Sequence, residues 1–251
     1  MEKIIKNKIF KNYLSTCKSY LLSPSRFLFL IHNILIVLFY GNLKKYYIFQ
    51  LPPKFNDELL SKIFLGSSSV INLSNCVIPH KSDYLFSSFY DDSATELRID
   101  ANIKTYDIDC LDLIRYLHKS IKDLIAPLTK SPFIIINTRA WTSKPNSERF
   151  GPNALHLDGF FPGHLKIMIY CSGLSIASGS LQIEDQVLND HPPGTCVLFK
   201  NSNALHSGIP GSSMDRHVLE ITIARSFSFR EREIFCHPLA RHLKSVLLFY
   251  K

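Results

Sequence analysis

The sequence predicts a mainly β fold with flanking helices. Several short apolar runs, rich in β-branched and aromatic residues, are bounded by turn residues, which is the pattern of buried strands. The clearest are residues 133–141, 196–199 and 218–224, and the turn sequence Pro192-Pro193-Gly194-Thr195 precedes the second of them. With 251 residues, of which 46% are hydrophobic, the chain is long enough to bury one good core.

One segment has the period of a helix instead. Apolar residues recur at intervals of three and four through residues 104–126, namely Leu111, Ile114, Leu117, Ile121, Leu124 and Ile125. Asp107 or Asp109 is suited to cap its start, and Pro127 is suited to end it. We expect this helix to pack on the outside of the sheet.

The first 50 residues differ in composition from the rest of the chain. They contain eight Lys and Arg and one acidic residue, so they carry +7 of the formal net charge of +8. Their apolar run at 27–40 is about fourteen residues long, short of the roughly twenty that span a bilayer, and His32-Asn33 interrupts it. We expect a basic and apolar N-terminal extension (1–50) followed by one domain (51–251).

Two interpretations of the apolar run stay open. It is either a buried helix of the fold or an interfacial anchor whose basic flanks give peripheral contact with a membrane. Nucleic-acid binding is not expected, because no recognised nucleic-acid motif accompanies the charge.

The six cysteines are scattered and include no Cys-x-x-Cys pair. They are most simply reduced thiols, which predicts a cytoplasmic protein, with membrane association as the open alternative. The sequence also lacks a Gly-rich phosphate loop, a Gly-x-Ser-x-Gly elbow and zinc-ribbon spacing, so it does not indicate the enzyme classes that depend on these motifs.

Candidate metal ligands lie at His156, Asp158 and His206. In an extended strand, residues two apart project from the same face, so His156 and Asp158 can aim at one metal while Leu157 points into the core. Two imidazoles and one carboxylate occupy one face of an octahedral Fe(II) and leave the other positions open. The spacing therefore predicts a reaction centre.

An arginine follows the second histidine at a distance of ten residues. Arg216 stands at the head of the predicted strand at 218–224, and we expect a hairpin to return it towards the metal. Its guanidinium presents a rigid fork of donors that pairs bidentately with a carboxylate. We therefore predict that Arg216 anchors a carboxylate beside the metal.

Residues 134–224 resemble the phytanoyl-CoA dioxygenase-like branch of the Fe(II)/2-oxoglutarate-dependent oxygenases. That branch has the order His-x-Asp, a distal His, and an Arg about ten residues later, which His156, Asp158, His206 and Arg216 match. The stretches 158–170 and 179–182 are also similar to the branch. The resemblance covers roughly a third of the chain and leaves the first hundred residues unmatched.

The resemblance implies a double-stranded β-helix, a cupin-like jelly roll with the metal in one mouth. It also implies Fe(II) and 2-oxoglutarate as cofactors, with Arg216 on the far carboxylate of 2-oxoglutarate. Oxygen and a small organic or acyl-linked substrate are the other implied partners, and the products are a hydroxylated substrate, succinate and CO2. Because Asp158 is a carboxylate, where related halogenases have a small residue, hydroxylation or another oxidation is expected.

Three further residues are candidates for binding 2-oxoglutarate or substrate. Alternation along the strand puts Lys166, Met168 and Tyr170 on one face, so Lys166 and Tyr170 can reach the pocket. Structural roles for this lysine and tyrosine, at the edge of the core, are the alternative. Asn137 is the third candidate, since similar Asn-x-Arg-x-Trp segments precede His-x-Asp in relatives of that branch.

Three nearby histidines are not assigned to the site. His164 follows Pro162-Gly163 and His191 precedes two prolines, so exposed turns are expected for both, and His217 should point away from Arg216. Two other function classes stay open: a metal-binding cupin-like isomerase or binding module, and a membrane-associated interaction protein with a degenerate site. Arg216 argues against the isomerase or binding module, and the intact set of four residues argues against the degenerate site.

Overall fold

In the computed structural model of the chain, the described residues are 24–65, 103–106, 111–146, 155–156, 163–200 and 204–227. The helices are α1 (Pro24–Tyr40), α2 (Pro53–Leu59, continued by a π-helical turn at Leu60–Phe64) and α3 (Leu111–Thr129). The strands are β1 (Tyr46–Gln50), β2 (Ile103–Tyr106), β3 (Phe133–Ser143), β4 (His164–Tyr170), β5 (Gly179–Ile183), β6 (Gln186–Leu188), β7 (Thr195–Phe199), β8 (His206–Pro210) and β9 (Arg216–Arg225).

The strands form two antiparallel sheets. The larger has the order β1-β7-β4-β9-β3-β2 and the smaller has the order β6-β5-β8. From β3 to β9 the chain passes repeatedly between them, since β5, β6 and β8 belong to the small sheet while β4, β7 and β9 belong to the large one. This winding is a double-stranded β-helix, or jelly roll, with flanking helices, which confirms the predicted fold class.

Alternation along the central strands creates two separate apolar layers. In β4 the side chains of Ile167 and Ile169 pack towards the helices, whereas Met168 and Tyr170 pack between the two sheets. The predicted division of this strand into two faces is confirmed. A strand that is buried on both faces needs side chains of nearly continuous apolar character, and a polar residue on either face then needs a partner.

The helices α2 and α3 cover the outer face of the large sheet. Leu117, Ile121 and Ile125, at helical spacing on α3, join the same cluster as Phe133 and Ile135 of β3. The predicted packing of this helix on the outside of the sheet is confirmed.

The predicted bounds of α3 were wrong at both ends. The helix begins at Leu111, and Ile103–Tyr106 forms β2 against the end of β3, because its β-branched and aromatic side chains suit a sheet edge. Pro127 lies inside the last turn. Thr129 donates its hydroxyl to the Ile125 carbonyl at 3.1 Å and helps to complete that turn. Asp107 and Asp109 lie outside the described residues.

The apolar run near the N-terminus forms α1, which packs on the body of the fold through one face. His32, Asn33 and Ile36 are buried on that face. The following strand, β1, pairs with β7 at the edge of the large sheet. Within the described ranges, no helix has the length and apolar character needed to cross a membrane. The division of the chain at residue 50 stays a prediction.

Two of the six cysteines lie in the described parts of the chain. Cys171 and Cys196 are free thiols buried under the large sheet. Burial raises the pKa of Cys171 to about 12, so its thiol stays protonated at neutral pH. Both are buried thiols, as expected from their spacing.

The packing of α3 on the sheet gives a first prediction. Ile121→Ala should lower the free energy of unfolding by about 2–5 kcal/mol, because it removes a fully buried side chain and leaves a cavity between helix and sheet. Ile176→Ala is the matched control, since Ile176 is exposed and its change should stay within about 0.5 kcal/mol. Equal denaturation midpoints for the two variants would contradict this packing.

Candidate metal centre

The candidate site begins with a backbone pairing between two histidines. His156 and His206 exchange both hydrogen bonds, with N–H···O distances of 2.9 Å and 3.0 Å. Residues that face each other in an antiparallel pair project to the same side of the sheet. The two imidazoles therefore lie together, with ring centroids 4.4 Å apart and planes inclined by 49°.

This separation fits two ligands of one metal ion. A metal–nitrogen bond of about 2.1 Å places each ring centroid roughly 3.2 Å from the metal. Two rings at right angles around the ion then have centroids about 4.5 Å apart, as octahedral geometry requires. The observed 4.4 Å matches this value, so the histidine pair fits the metal predicted from the sequence.

A second contact fixes the orientation and tautomer of His206. Its Nδ1 lies 2.9 Å from the Ala204 carbonyl oxygen, which can only accept, so Nδ1 carries the proton. In the neutral form of this ring the lone pair is then on Nε2, the atom that would bind a metal. Phe199 packs against the same imidazole, with ring centroids 4.7 Å apart. Ala204 and Phe199 thus hold His206 in the state of a metal ligand.

Asp158, the third predicted ligand, lies outside the described residues. Among the residues that are described, no three His, Cys, Asp or Glu side chains form a metal-binding group. The two-histidine part of the predicted set is therefore brought together, and the carboxylate stays a prediction.

The histidines line a cavity between the two sheets. The other residues around it come from β3, β4, β5, β8 and β9. They are Trp141, Lys166, Met168, Tyr170, Leu181, Gly208, Arg216, Val218 and Glu220. Five of the seven predicted site residues, all except Asp158 and Asn137, line this cavity together with charged and apolar neighbours. This lining suits a polar ligand held in an otherwise apolar pocket.

Arg216 lines this cavity, and its buried guanidinium donates to backbone carbonyl oxygens. Its Nη1 donates to the carbonyl oxygens of Ile209 at 2.9 Å and Ser180 at 3.4 Å. Burial lowers the pKa of the guanidinium, and the neighbouring Tyr170 partly offsets this effect. Desolvation of the positive charge is relieved when an anion binds beside it. The arrangement is therefore suited to a carboxylate.

The route by which Arg216 reaches the cavity differs from the predicted hairpin. β8 and β9 belong to different sheets, so the chain crosses between the sheets after Pro210 and Arg216 does not pair with β8. Cross-strand partners of Arg216 lie instead in β3, where it faces Ser143. The predicted hairpin was wrong because spacing alone does not distinguish a hairpin from a crossing between facing sheets.

Lys166 forms a buried ion pair inside the cavity. Its Nζ lies 3.1 Å from Oε2 of Glu220, and the two side chains are 2% and 1% exposed. They come from neighbouring strands, β4 and β9, and both project to the inner side of the large sheet. A buried charge is tolerated in a folded protein when it is paired, so each of these two residues stabilises the charge of the other.

Tyr170 lines the same cavity as Arg216 and Glu220, and both of these charges act on its phenol. Burial raises the pKa of its phenol well above the usual range, Arg216 lowers it and Glu220 raises it further. The phenol is therefore neutral and serves as a hydrogen-bonding group. Its position in the cavity agrees with the predicted position, and its role in binding a ligand stays a prediction.

Asn137 is placed only by its backbone. The β3–β9 register sets it opposite Thr222, with a bulge between Ile135 and Asn137. Thr222 is six residues along β9 from Arg216, which is about 20 Å in an extended strand. Contact between Asn137 and a ligand of the site stays a prediction.

The three histidines that were not assigned to the site lie in different surroundings. His164 is the first residue of β4 and is buried, so the predicted exposed turn was wrong; the turn ends at Gly163, whose φ of 97° suits glycine. His191 is half-buried and pairs with Leu174. His217 points away from Arg216, as predicted, and its Nδ1 lies 2.8 Å from the Thr142 hydroxyl.

Glu220 is the site residue that sequence reasoning missed. It stands in the apolar strand Val218-Leu219-Glu220-Ile221-Thr222-Ile223, at a position that alternation assigns to the same face as Arg216. A carboxylate within a buried strand requires a partner. Lys166 is a charged residue in the neighbouring strand, which is otherwise mostly apolar, and it supplies this partner. The presence of a charged residue, Lys166 or Glu220, in each of these two apolar strands was the sequence signal for the pair.

Comparisons with known proteins give structural likenesses only. No protein-family model and no curated protein matches the chain. Among solved structures, HygX from Streptomyces hygroscopicus, with nickel and 2-oxoglutarate bound, is 12% identical, with a TM-score of 0.45 and coverage of 76% of this chain and 86% of that one. A prolyl hydroxylase from Trichoplax adhaerens is 14% identical, with a TM-score of 0.47 and coverage of 78% and 92%.

A third likeness covers less of both proteins. The non-heme, α-ketoglutarate-dependent epimerase SnoN from nogalamycin biosynthesis is 19% identical, with a TM-score of 0.37; the match spans 46% of this chain and 57% of that one. All three TM-scores lie below 0.5, so the function of this chain is inferred from its own side chains.

The Lys166–Glu220 pair gives a second prediction. Glu220→Gln should destabilise the protein by about 3–5 kcal/mol, because it removes the carboxylate that lies 3.1 Å from the buried ammonium of Lys166. Adding Lys166→Met should recover most of this loss, because the double variant removes both charges of the pair. Chemical denaturation of the two single variants, the double variant and the parent measures the coupling. Additive losses would contradict a buried ion pair.

Proposed function

We propose that this protein is an Fe(II)- and 2-oxoglutarate-dependent oxygenase that hydroxylates a small organic or acyl-linked substrate. The observation that carries the proposal is the pairing of His156 with His206 in the lining of a cavity that is also lined by the buried residue Arg216. A metal held by two imidazoles beside a cationic anchor is what a chelating dicarboxylate cosubstrate requires.

Each residue has a separate part in this proposal. His156, His206 and Asp158 hold the metal, and Arg216 pairs with the carboxylate of 2-oxoglutarate that lies far from the metal. Lys166, Tyr170 and Asn137 are proposed to complete the binding of 2-oxoglutarate or substrate. Trp141, Met168, Leu181 and Val218 supply apolar walls that exclude water from the cavity.

The overall reaction converts substrate, 2-oxoglutarate and O2 to hydroxylated substrate, succinate and CO2. Bound Fe(II) supplies the oxidising chemistry, and the protein supplies position and environment. Arg216 and the apolar walls orient 2-oxoglutarate, while the Lys166–Glu220 pair keeps the inner end of the cavity polar but neutral. One oxygen atom of O2 enters succinate, and the other enters the hydroxylated product.

Placement in the phytanoyl-CoA dioxygenase-like branch and the hydroxylase type are part of this proposal. A metal-binding isomerase or binding module is less favoured, because it gives no reason for a buried arginine whose guanidinium faces the histidine cavity. A cytoplasmic setting, inferred from the cysteines, and peripheral membrane contact through residues 1–50 are proposals of the same kind.

The anchor role of Arg216 gives a third prediction. Arg216→Ala should weaken binding of 2-oxoglutarate by roughly 30-fold to several thousand-fold, since a charge-assisted bidentate pair in a closed pocket contributes about 2–5 kcal/mol. Calorimetric titration of 2-oxoglutarate into the Mn(II)-loaded protein measures the change. Metal affinity, titrated separately, should stay close to that of the parent.

Arg225→Ala is the matched control for this variant. Arg225 is a buried arginine at the other end of β9 and donates to the Gly41 carbonyl rather than into the cavity. It should lose stability without losing affinity for 2-oxoglutarate. Unchanged affinity in Arg216→Ala, or equal losses in both variants, would rule out the anchor role.

The reaction gives a fourth prediction. With Fe(II), O2 and a panel of small organic and acyl-linked compounds, the protein should release succinate from 2-oxoglutarate, and its product should gain one oxygen atom. Asp158→Ala should abolish hydroxylation, because it removes the carboxylate ligand and opens a position on the metal. Mass spectrometry of the products and a succinate assay provide the readout. Persistent hydroxylation by Asp158→Ala would contradict the mechanism.

A further inference from the structure

Over residues 31–40, where its side chains are described, the helix α1 is inverted relative to an ordinary surface helix. Its buried face carries the polar residues His32 and Asn33 together with Ile36. His32 Nε2 lies 3.3 Å from the Arg225 carbonyl oxygen, and Asn33 lies directly against Gly163, where any side chain would overlap it. Surface helices of globular proteins place their apolar stripe inward, so α1 is attached to the body by the side that would otherwise face water.

The outward face of α1 is apolar without interruption over its last two turns. Its exposed residues are Ile34, Leu35, Val37, Leu38 and Phe39, of which Leu38 and Phe39 are 74% and 73% exposed. At helical spacing these five positions cover the half of the helix opposite His32 and Asn33. Such a face of contiguous large apolar side chains marks an interaction surface.

Phe227, after the end of β9, extends this surface. Its ring packs edge-on against Phe39 with centroids 5.7 Å apart and lies 5.3 Å from the ring of His32, yet 44% of the residue stays exposed. We define the apolar ridge as the five exposed residues of α1 together with Phe227. Since exposed aromatic side chains are favoured where an apolar phase meets water, the ridge has the composition of an interfacial surface.

Basic residues lie next to the apolar ridge. Lys44 and Lys45 follow α1 and are exposed, and Lys45 makes one surface ion pair, with Glu184. Lys200 Nζ donates to Asn42 Oδ1 at 2.7 Å, and burial, followed by the nearby charge of Arg225, lowers the pKa of its amino group. The sequence before the helix adds Lys3, Lys6, Lys8, Lys11 and Lys18 against one acid, Glu2.

We infer that the apolar ridge docks the protein on an anionic lipid surface, with α1 lying in the plane of the interface. This inference rests on the proposed membrane contact of residues 1–50 and is independent of the iron chemistry. The lipid is favoured over a protein partner because uninterrupted apolar side chains flanked by cations match an acyl layer beneath anionic head groups. At 17 residues, or about 25 Å, α1 is suited to lie on the surface.

The test measures vesicle binding by the full-length protein. Vesicles of phosphatidylcholine alone, or mixed with phosphatidylserine, are sedimented at low and high salt. We expect binding to the anionic vesicles only, weakened by salt because the cations are screened. The double variant Leu38→Gln/Phe39→Gln should lower the vesicle partition coefficient at least about tenfold. The reason is that each large apolar side chain that is taken out of water raises this coefficient about tenfold or more.

Ile176→Gln is the matched control, because Ile176 is also 74% exposed but lies outside the apolar ridge. It should bind vesicles like the parent. Succinate release by each variant, measured without vesicles, separates this test from that of the proposed function: lost vesicle binding with retained turnover supports the inference. It is overturned by equal binding of the double variant and parent, or by failure of the parent to bind. A dimer that the double variant dissociates, without vesicle binding, also overturns it and assigns the ridge to a second copy.

Discussion

The register of β9 is the constraint on which both the core and the candidate site depend. This strand pairs with β3 along one edge and with β4 along the other, so its position is fixed from two sides. Arg216, Val218 and Glu220 project into the cavity, whereas Leu219, Ile221 and Ile223 pack under the helices. A slip of one residue would exchange these two sets and bury Arg216, Val218 and Glu220 in the apolar layer under the helices. Apolar packing on one face therefore holds the chemistry on the other.

The features of the fold that depend on residues close together in the sequence were predictable. A period of two decides which side of β4 carries Lys166 and Tyr170, and a period of 3.6 decides that Leu117, Ile121 and Ile125 of α3 share a buried face. Both patterns survive in the structure because each is enforced by burial on the adjoining layer. The resemblance supplied the jelly roll itself, since antiparallel strands alone do not specify how a chain winds between two sheets.

The parts that depend on long-range pairing were not predictable from one sequence. The crossing from β8 to β9 and the start of α3 at Leu111 are decided by which strands face each other. The His156–His206 pairing joins residues fifty positions apart, and it was expected only because the order of ligands resembled a known pattern. The inverted polarity of α1 was hidden as well, because His32 and Asn33 read as interruptions of an apolar run rather than as its attachment to the body.

The two buried cations of the cavity differ in the geometry of their donors, and this difference decides which of them is better suited to anchor a dicarboxylate. Glu220 lies 3.1 Å from Lys166, so an incoming carboxylate must compete with a carboxylate that the fold itself supplies. Arg216 donates to the carbonyl oxygens of Ile209 and Ser180, and these two contacts orient the plane of its guanidinium. A planar guanidinium held in this way is prepared for bidentate pairing, whereas an ammonium is a point charge on a flexible stem. The geometry thus favours Arg216 as the anchor and gives Lys166, through Glu220, the separate task of keeping a charged position stable inside the jelly roll.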